Sequence, residues 1–230
     1  MVRWYAFIGL FLLVGARADY TPAALRDKVA ALPGAEALNL TFNQFSGYLL
    51  VDGAQPGSIA VHYWFVESTR DPATDPLILW TNGGPGCSGL LGLLFELGPF
   101  FPNPDLSLSP NPYSWNQLAN ILFIESPCGV GFSYSNISED YTASDNSTAM
   151  INYQIIKAFL SRFPALSSSE LYLASESYGG HYIPTLAALI VELNQQYTQP
   201  INFKVWRRNC IFALIFLTSF SGIFGREPLH

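Results

Sequence analysis

The sequence predicts an α/β fold: a mostly parallel sheet flanked by helices, with an antiparallel hairpin on its N-terminal side. Three observations predict it. Short apolar runs recur in "PLILW" (Pro76–Trp80), "ANILFIESP" (Ala119–Pro127) and "ELYLASES" (Glu170–Ser177), as strands buried on both faces should. Helical periodicity lies between the last two runs and again after the third. Ahead of them, "FSGYLLVDG" and "SIAVHYWFVES" are rich in β-branched and aromatic residues and are split by the turn cluster "DGAQPG", which makes them a hairpin.

The first 18 residues stand apart from the fold. Arg3 supplies a positive start, "WYAFIGLFLLVG" an apolar stretch, and "ARA" (Ala16–Ala18) a small-residue cleavage site before Asp19. This is the pattern of a secretory signal peptide, and the apolar stretch is too short for the roughly 20 residues of a membrane span. Secretion gives meaning to the sequons at Asn39, Asn136 and Asn146, each a candidate glycan acceptor on the surface. Cys87, Cys128 and Cys210 form an odd set, so at least one thiol lacks an intrachain partner.

From Asp19 the mature chain begins with "TPAALRDKVAALPG", read as a helix with Pro22 near its start and Pro33-Gly34 at its end. The hairpin follows, then the first apolar strand, which runs into "TNGGPG". Between the second and third strands, Met150, Tyr153, Ile156, Phe159, Leu160 and Phe163 recur at helical spacing and stop at Pro164. After the third strand, "GGHYIPTLAALIVELNQQY" reads as a second long helix. Alternation of buried strands with helices gives βαβ units and parallel neighbours.

Half of the 230 residues are hydrophobic and 12% are charged, enough for a sizeable core. A net charge of −6 argues against nucleic-acid binding, and a membrane partner is not expected. The glycine loop "WTNGGPGCSG" (Trp80–Gly89) lacks the G-x-x-x-x-G-K-[ST] spacing and has no lysine nearby, so it is not a phosphate loop. No cofactor and no metal ion are expected.

Ser177 stands where the third strand gives way to its helix, in "Ser-Glu-Ser-Tyr-Gly". A strained strand-to-helix turn of the G-x-S-x-G type lifts a serine hydroxyl above a sheet and requires small residues two positions away. Here Ser175 replaces the first glycine. The plain alternative is a serine that caps the helix. The glycine loop after the earlier strand can bring a backbone N–H close to a developing anion, or serve only as a Gly-Pro turn.

Three blocks carry a resemblance. "LILWTNGGPGCSGLLGLLFELGPF", "ILFIESPCGVGFSYS" and "LYLASESYGGHYIP" resemble the signature blocks of the serine carboxypeptidases, in the family's order, and "FNQFSGYLLVDG" resembles the family's N-terminal hairpin. The resemblance covers about residues 20–203. It implies an α/β-hydrolase fold and removal of C-terminal residues from peptides through an acyl-enzyme, often best in acid. It implies Ser177 as nucleophile, with the N–H groups of Gly84 and Tyr178 as oxyanion hole. It places Asn82, Gly83, Glu96 and Glu176 at the substrate's terminal carboxylate. Two glutamates can hold a carboxylate only if a proton is shared among them, and crowding of like charges raises a carboxyl pKa. By itself, Glu96 in "LLFELGP" reads as an exposed helix carboxylate. The implied partners are peptide or protein C-termini, and the implied destination is the secretory pathway, lysosomal or extracellular.

A serine nucleophile also needs a base and an acid that orients it. In an α/β-hydrolase both follow the serine in the chain. After Ser177 stand His181, His230, Glu192 and Glu227, and no aspartate. His181 is too close to Ser177 along the same helix, and the resemblance implies that it packs. The family's Asp and His come from its C-terminal half, to which Cys87 would also be disulfide-linked. The sequence is therefore expected to hold a signal peptide (1–18), the N-terminal part of a carboxypeptidase domain (19–203) and an unrelated hydrophobic tail (204–230). That tail reads as a gene-model error, a short isoform, or a membrane-associating segment beside Arg207-Arg208, the first being favoured. The competing functional reading is an inactive truncated isoform or pseudoenzyme that binds peptide C-termini or a partner.

Overall fold

The computed structural model describes residues 20–204. The expected signal peptide and all but the first residue of the expected tail lie outside the described residues.

The hairpin forms as the pattern requires. Strands β1 (Gln44–Val51) and β2 (Ile59–Val66) pair antiparallel over their full length. The apolar runs become β3 (Leu77–Thr81), β6 (Asn120–Ile124) and β8 (Leu171–Ser175). Between them, β4 (Phe100–Pro102) and β5 (Leu108–Pro110) make a small separate ladder. The two-residue β7 (Tyr134–Ser135) joins β2. The order across the main sheet is β1-β2-β6-β3-β8. Both β6 and β8 run parallel to β3, while β2 meets β6 antiparallel. The sheet is thus parallel where the apolar strands lie and antiparallel where the hairpin is added.

Alternation of side chains sorts two cores. Leu77, Leu79, Leu122, Ile124, Leu171 and Leu173 face one side. There α2 (Asp145–Arg162) lays down Ile155, Ile156 and Phe159, and α3 (Gly179–Asn194) lays down Ile183, Leu186 and Ile190. Trp80, Ile121, Phe123 and Ala174 face the other side, against Leu93 and Leu97. Both long helices therefore cover one face, and the segment after β3, with a π-helical turn at Gly92–Glu96, covers the other. Helix α2 starts cleanly because Ser144 and Ser147 cap it reciprocally: Ser144 Oγ accepts from Ser147 N–H and Ser147 Oγ accepts from Ser144 N–H.

One expected element is shorter than its sequence suggests. The helix read through "TPAALRDKVAALPG" stops after Pro22–Arg26, as α1. Backbone pairing with β1 ends it: Ser46 N–H donates to Asp27 O and Val29 N–H donates to Gln44 O. The ladder satisfies groups that the helix would have used, and tertiary pairing overrides a weak local propensity. A second difference is at β8, where Tyr172 is exposed although its neighbours are buried.

Candidate active site

Parallel pairing decides where the site forms. Thr81 at the end of β3 lies in register with Ser175 at the end of β8. The segments that leave these strands therefore emerge side by side at the carboxyl edge of the sheet, where open α/β sheets bind ligands. One segment is the glycine loop from Asn82, and the other is Glu176-Ser177-Tyr178.

Ser177 is exposed and has φ +51°. A non-glycine residue rarely adopts this left-handed conformation, which costs about 1–2 kcal/mol. The surroundings hold it there. Gly179 N–H donates to Glu176 O at 2.7 Å and Gly180 N–H donates to Ser177 O at 3.0 Å, so α3 begins without delay. Ser175 turns its hydroxyl onto Thr81 O at 2.5 Å, and a Cβ added at Gly179 would lie 1.7 Å from that Oγ. The small residues on either side of Ser177 are sterically required.

The glycine loop presses on this turn. A Cβ added at Gly83 would sit 2.6 Å from both Glu176 O and Tyr178 N, and 3.0 Å from Ser177 Cβ. Only glycine lets the two backbones approach so closely. Gly84, at φ +110°, carries the loop onward. The N–H groups of Gly84 and Tyr178 take no acceptor among the described residues. They are therefore free to donate to a ligand, as oxyanion donors must.

Asn82 is fully buried, and both polar atoms of its side chain are bonded. Its Oδ1 accepts from Trp80 Nε1 at 2.7 Å and from Gly92 N–H at 3.2 Å. Its Nδ2 donates to Glu176 Oε1 at 2.9 Å and to Glu96 Oε1 at 3.3 Å. A single amide thus gathers two carboxyl groups beside Ser177. Glu96 is half-buried at the end of the π-helical turn, and is not an exposed helix carboxylate. Burial first, and the neighbouring Glu176 charge second, push its carboxyl above the ordinary glutamate value.

Comparison with known proteins places the chain in a family. The serine carboxypeptidase family model matches residues 33–206. The chain belongs to the serine carboxypeptidase family. It is 48% identical over 190 residues to serine carboxypeptidase-like 28 of Arabidopsis thaliana, covering 81% of this chain and 40% of that protein. It is 47% identical over 184 residues to the lysosomal protective protein of Mus musculus, covering 80% of this chain and 38% of that protein. Among solved structures, a prohormone-processing carboxypeptidase from Saccharomyces cerevisiae superposes with a TM-score of 0.72 at 27% identity, over 80% of this chain and 43% of that one. The fold is accordingly part of an α/β-hydrolase fold, and the chain spans about 40% of the length of these relatives.

Within this serine carboxypeptidase chain, no base reaches the nucleophile candidate among the described residues. Ser177 Oγ has no hydrogen-bond partner there. His181 lies exposed on α3, stacked on the Tyr178 ring at 4.6 Å between centroids, and its Nδ1 is 3.8 Å from Asp145 Oδ2. It contacts a neighbour's ring on the surface instead of packing into the core. His230 and Glu227 lie outside the described residues. The three sequon asparagines, Asn39, Asn136 and Asn146, are all exposed. Cys128 is buried, and Cys87 is half-buried in the glycine loop, both as free thiols.

Sequence reading missed two groups near the site. Asp145 accepts from Tyr178 OH at 3.1 Å and helps line a cleft of about 450 Å³ with Pro85, Gly86, Tyr141 and Tyr182. Glu125 and His62 make a buried pair, Nδ1 to Oε2 2.9 Å apart, behind the glycine loop. Both sit in strand or helix-start patterns that explain themselves structurally. The only signal for Glu125 was the glycine-rich "CGVG" that wraps it: Gly129 and Gly131 both have positive φ, and a Cβ at Gly131 would lie 1.8 Å from Glu125 Oε1.

Proposed function

We propose that this chain carries the nucleophile and carboxylate-recognition half of a serine carboxypeptidase, an enzyme that removes C-terminal residues from peptides by way of an acyl-enzyme. The observation that carries the reading is the meeting of a strained, exposed Ser177 with two glutamates gathered by Asn82. Ser177 Oγ attacks the carbonyl of the last peptide bond. The N–H groups of Gly84 and Tyr178 receive the oxyanion as it forms. Asn82, the Gly83 backbone, Glu96 and Glu176 take the peptide's terminal carboxylate, with a proton held between glutamate and ligand in place of a repelled negative charge. The raised carboxyl of Glu96 supports this, because it retains its proton further into the acid-to-neutral range. The general base and its orienting acid come from outside the described residues. Passage through the secretory pathway, with glycans at Asn39, Asn136 and Asn146, fits the exposure of all three and the lysosomal name of one relative.

The test is binding, which needs no base. Calorimetry with a short peptide as its free acid and as its C-terminal amide, at pH 4.5 and pH 7, separates the readings. The free acid should bind more tightly at the lower pH, and Glu96→Gln should flatten that dependence. Equal binding of acid and amide at both pH values would overturn the carboxylate assignment.

A further inference from the structure

We propose that Glu125 is a positioning residue for the glycine loop, holding through Ser88 the segment that presents the Gly84 N–H. The link to the reaction rests on the oxyanion role proposed above for Gly84, whereas the mechanical claim stands on the contacts alone.

The inner half of the loop is fixed by Asn82 and by Gly83 against the Ser177 turn. The outer half, Pro85 to Gly89, has few ties. Cys87 N–H donates back to Gly83 O at 3.0 Å, and Ser88 Oγ donates to Glu125 Oε1. Ser88 Oγ also accepts from Leu90 N–H at 3.1 Å. Gly89 seats the end of the loop on β6, since a Cβ there would lie 2.2 Å from Ile124 O. Glu125 follows Ile124 directly. One side chain therefore meets the loop at the point where it must turn back into the fold.

Glu125 is suited to this as an ionised group. It is 1% exposed. Each group around its carboxylate can donate: Ser88 Oγ to Oε1, and to Oε2 both His62 Nδ1 at 2.9 Å and Phe132 N–H at 2.9 Å. A carboxylate only accepts, so all three are satisfied. With Glu125 ionised, this contact places a hydrogen on His62 Nδ1. His62 Nε2 then meets Ser46 Oγ at 3.0 Å, and that hydroxyl serves either protonation state of the ring. Burial pushes the Glu125 carboxyl up, but the hydrogen bonds from His62, Ser88 and Phe132 outweigh it and the net direction is down. The Ser46–His62–Glu125 connectivity resembles a hydrolytic triad. Ser46 nevertheless lies within a paired strand, where its own N–H is bonded to Asp27 O. The relay holds the loop and does not perform hydrolysis.

The loop carries its own reporter. Cys87 is half-buried beside Ser88, while Cys128 is buried in the core. Alkylation of the full 230-residue chain with iodoacetamide, resolved peptide by peptide, reads loop opening at Cys87 and global opening at Cys128. Ser88→Ala should speed Cys87 labelling about tenfold or more, the size expected for losing a hydrogen bond to a buried charge, with Cys87 still labelled well ahead of Cys128, which needs global opening. Ser88→Thr, which keeps the hydroxyl, should restore the slow rate. Glu125→Gln removes the charge that receives the Ser88 hydroxyl and should speed Cys87 labelling in the same direction. If Glu125→Gln fails to fold, the Ser88 pair decides the matter. Unchanged Cys87 labelling in folded Ser88→Ala, or Cys87 labelling no faster than that of Cys128, would overturn the proposal. No turnover is required, so this outcome is independent of whether Ser177 proves to be the nucleophile.

Discussion

Replacing Glu96 by glutamine isolates the cost of bringing two carboxylates together. Both Oε1 atoms lie on one Asn82 nitrogen, at 3.3 and 2.9 Å, so they are at most about 6 Å apart. Two unit charges at that distance repel by about 3 kcal/mol at an effective dielectric near 20. Glu96 is only half-buried, and solvent screening brings the expected effect down to about 1 kcal/mol. The sign follows from the direction of the shift. A carboxyl whose folded value is raised contributes its stability fully below its unfolded value, about 4.3, and that contribution is lost as pH rises through the raised value. Glutamine never ionises and keeps the oxygen that Asn82 needs. Wild type and Glu96→Gln should therefore melt together near pH 4. At pH 7 the variant should be more stable by about 1 kcal/mol, or about 3 °C in a chain of this size. Thermal denaturation followed by circular dichroism at the two pH values measures this. A variant less stable at pH 7, or a difference independent of pH, would refute the argument that the two charges meet.

Two further predictions concern the backbone around Ser177. Gly83→Ala drives a methyl into Glu176 O and Tyr178 N, both main-chain atoms that cannot swing away. It should cost about 1–3 kcal/mol, seen as a lower urea midpoint, and an unchanged midpoint would mean that the loop does not press on the turn. Ser177→Gly relieves the left-handed conformation and should be more stable than Ser177→Ala by about 1 kcal/mol, because alanine keeps the strain while glycine loses it. Equal melting temperatures for the two variants would show that the turn is relaxed.

Legibility in the sequence followed burial. The strands β3 and β6 announced themselves because both faces are covered, and β8 because all of it but Tyr172 is buried; their apolar runs left no competing period. The hairpin β1–β2 was marked by its turn cluster. The elements that escaped notice are those held by tertiary partners. Strands β4, β5 and β7 are two or three residues long, too short for any period. Helix α1 was overread because "AALRDKVAAL" has good helical propensity, yet the sheet edge captures its second half. At the site, Ser177, Asn82 and the glycines could be found because a strained turn and a close approach restrict residue type. Glu96 came only with the resemblance, since one glutamate in an apolar turn has no local mark. Glu125 and His62 stayed hidden for the same reason: their pairing spans 63 positions of chain.

The indole of Trp80 is wholly buried and hydrogen-bonded to the oxygen of the amide whose nitrogen serves both glutamates. Gly92 makes room for it, since a Cβ there would lie 2.1 Å from Nε1. Any redistribution of charge across Glu96 and Glu176 polarises that amide and, through it, the indole N–H. The chain thus contains an intrinsic fluorophore wired to the proposed carboxylate site. Trp80 emission should follow the arrival of a proton or of a peptide terminus without any added dye, and Glu96→Gln should silence the part that depends on the proton.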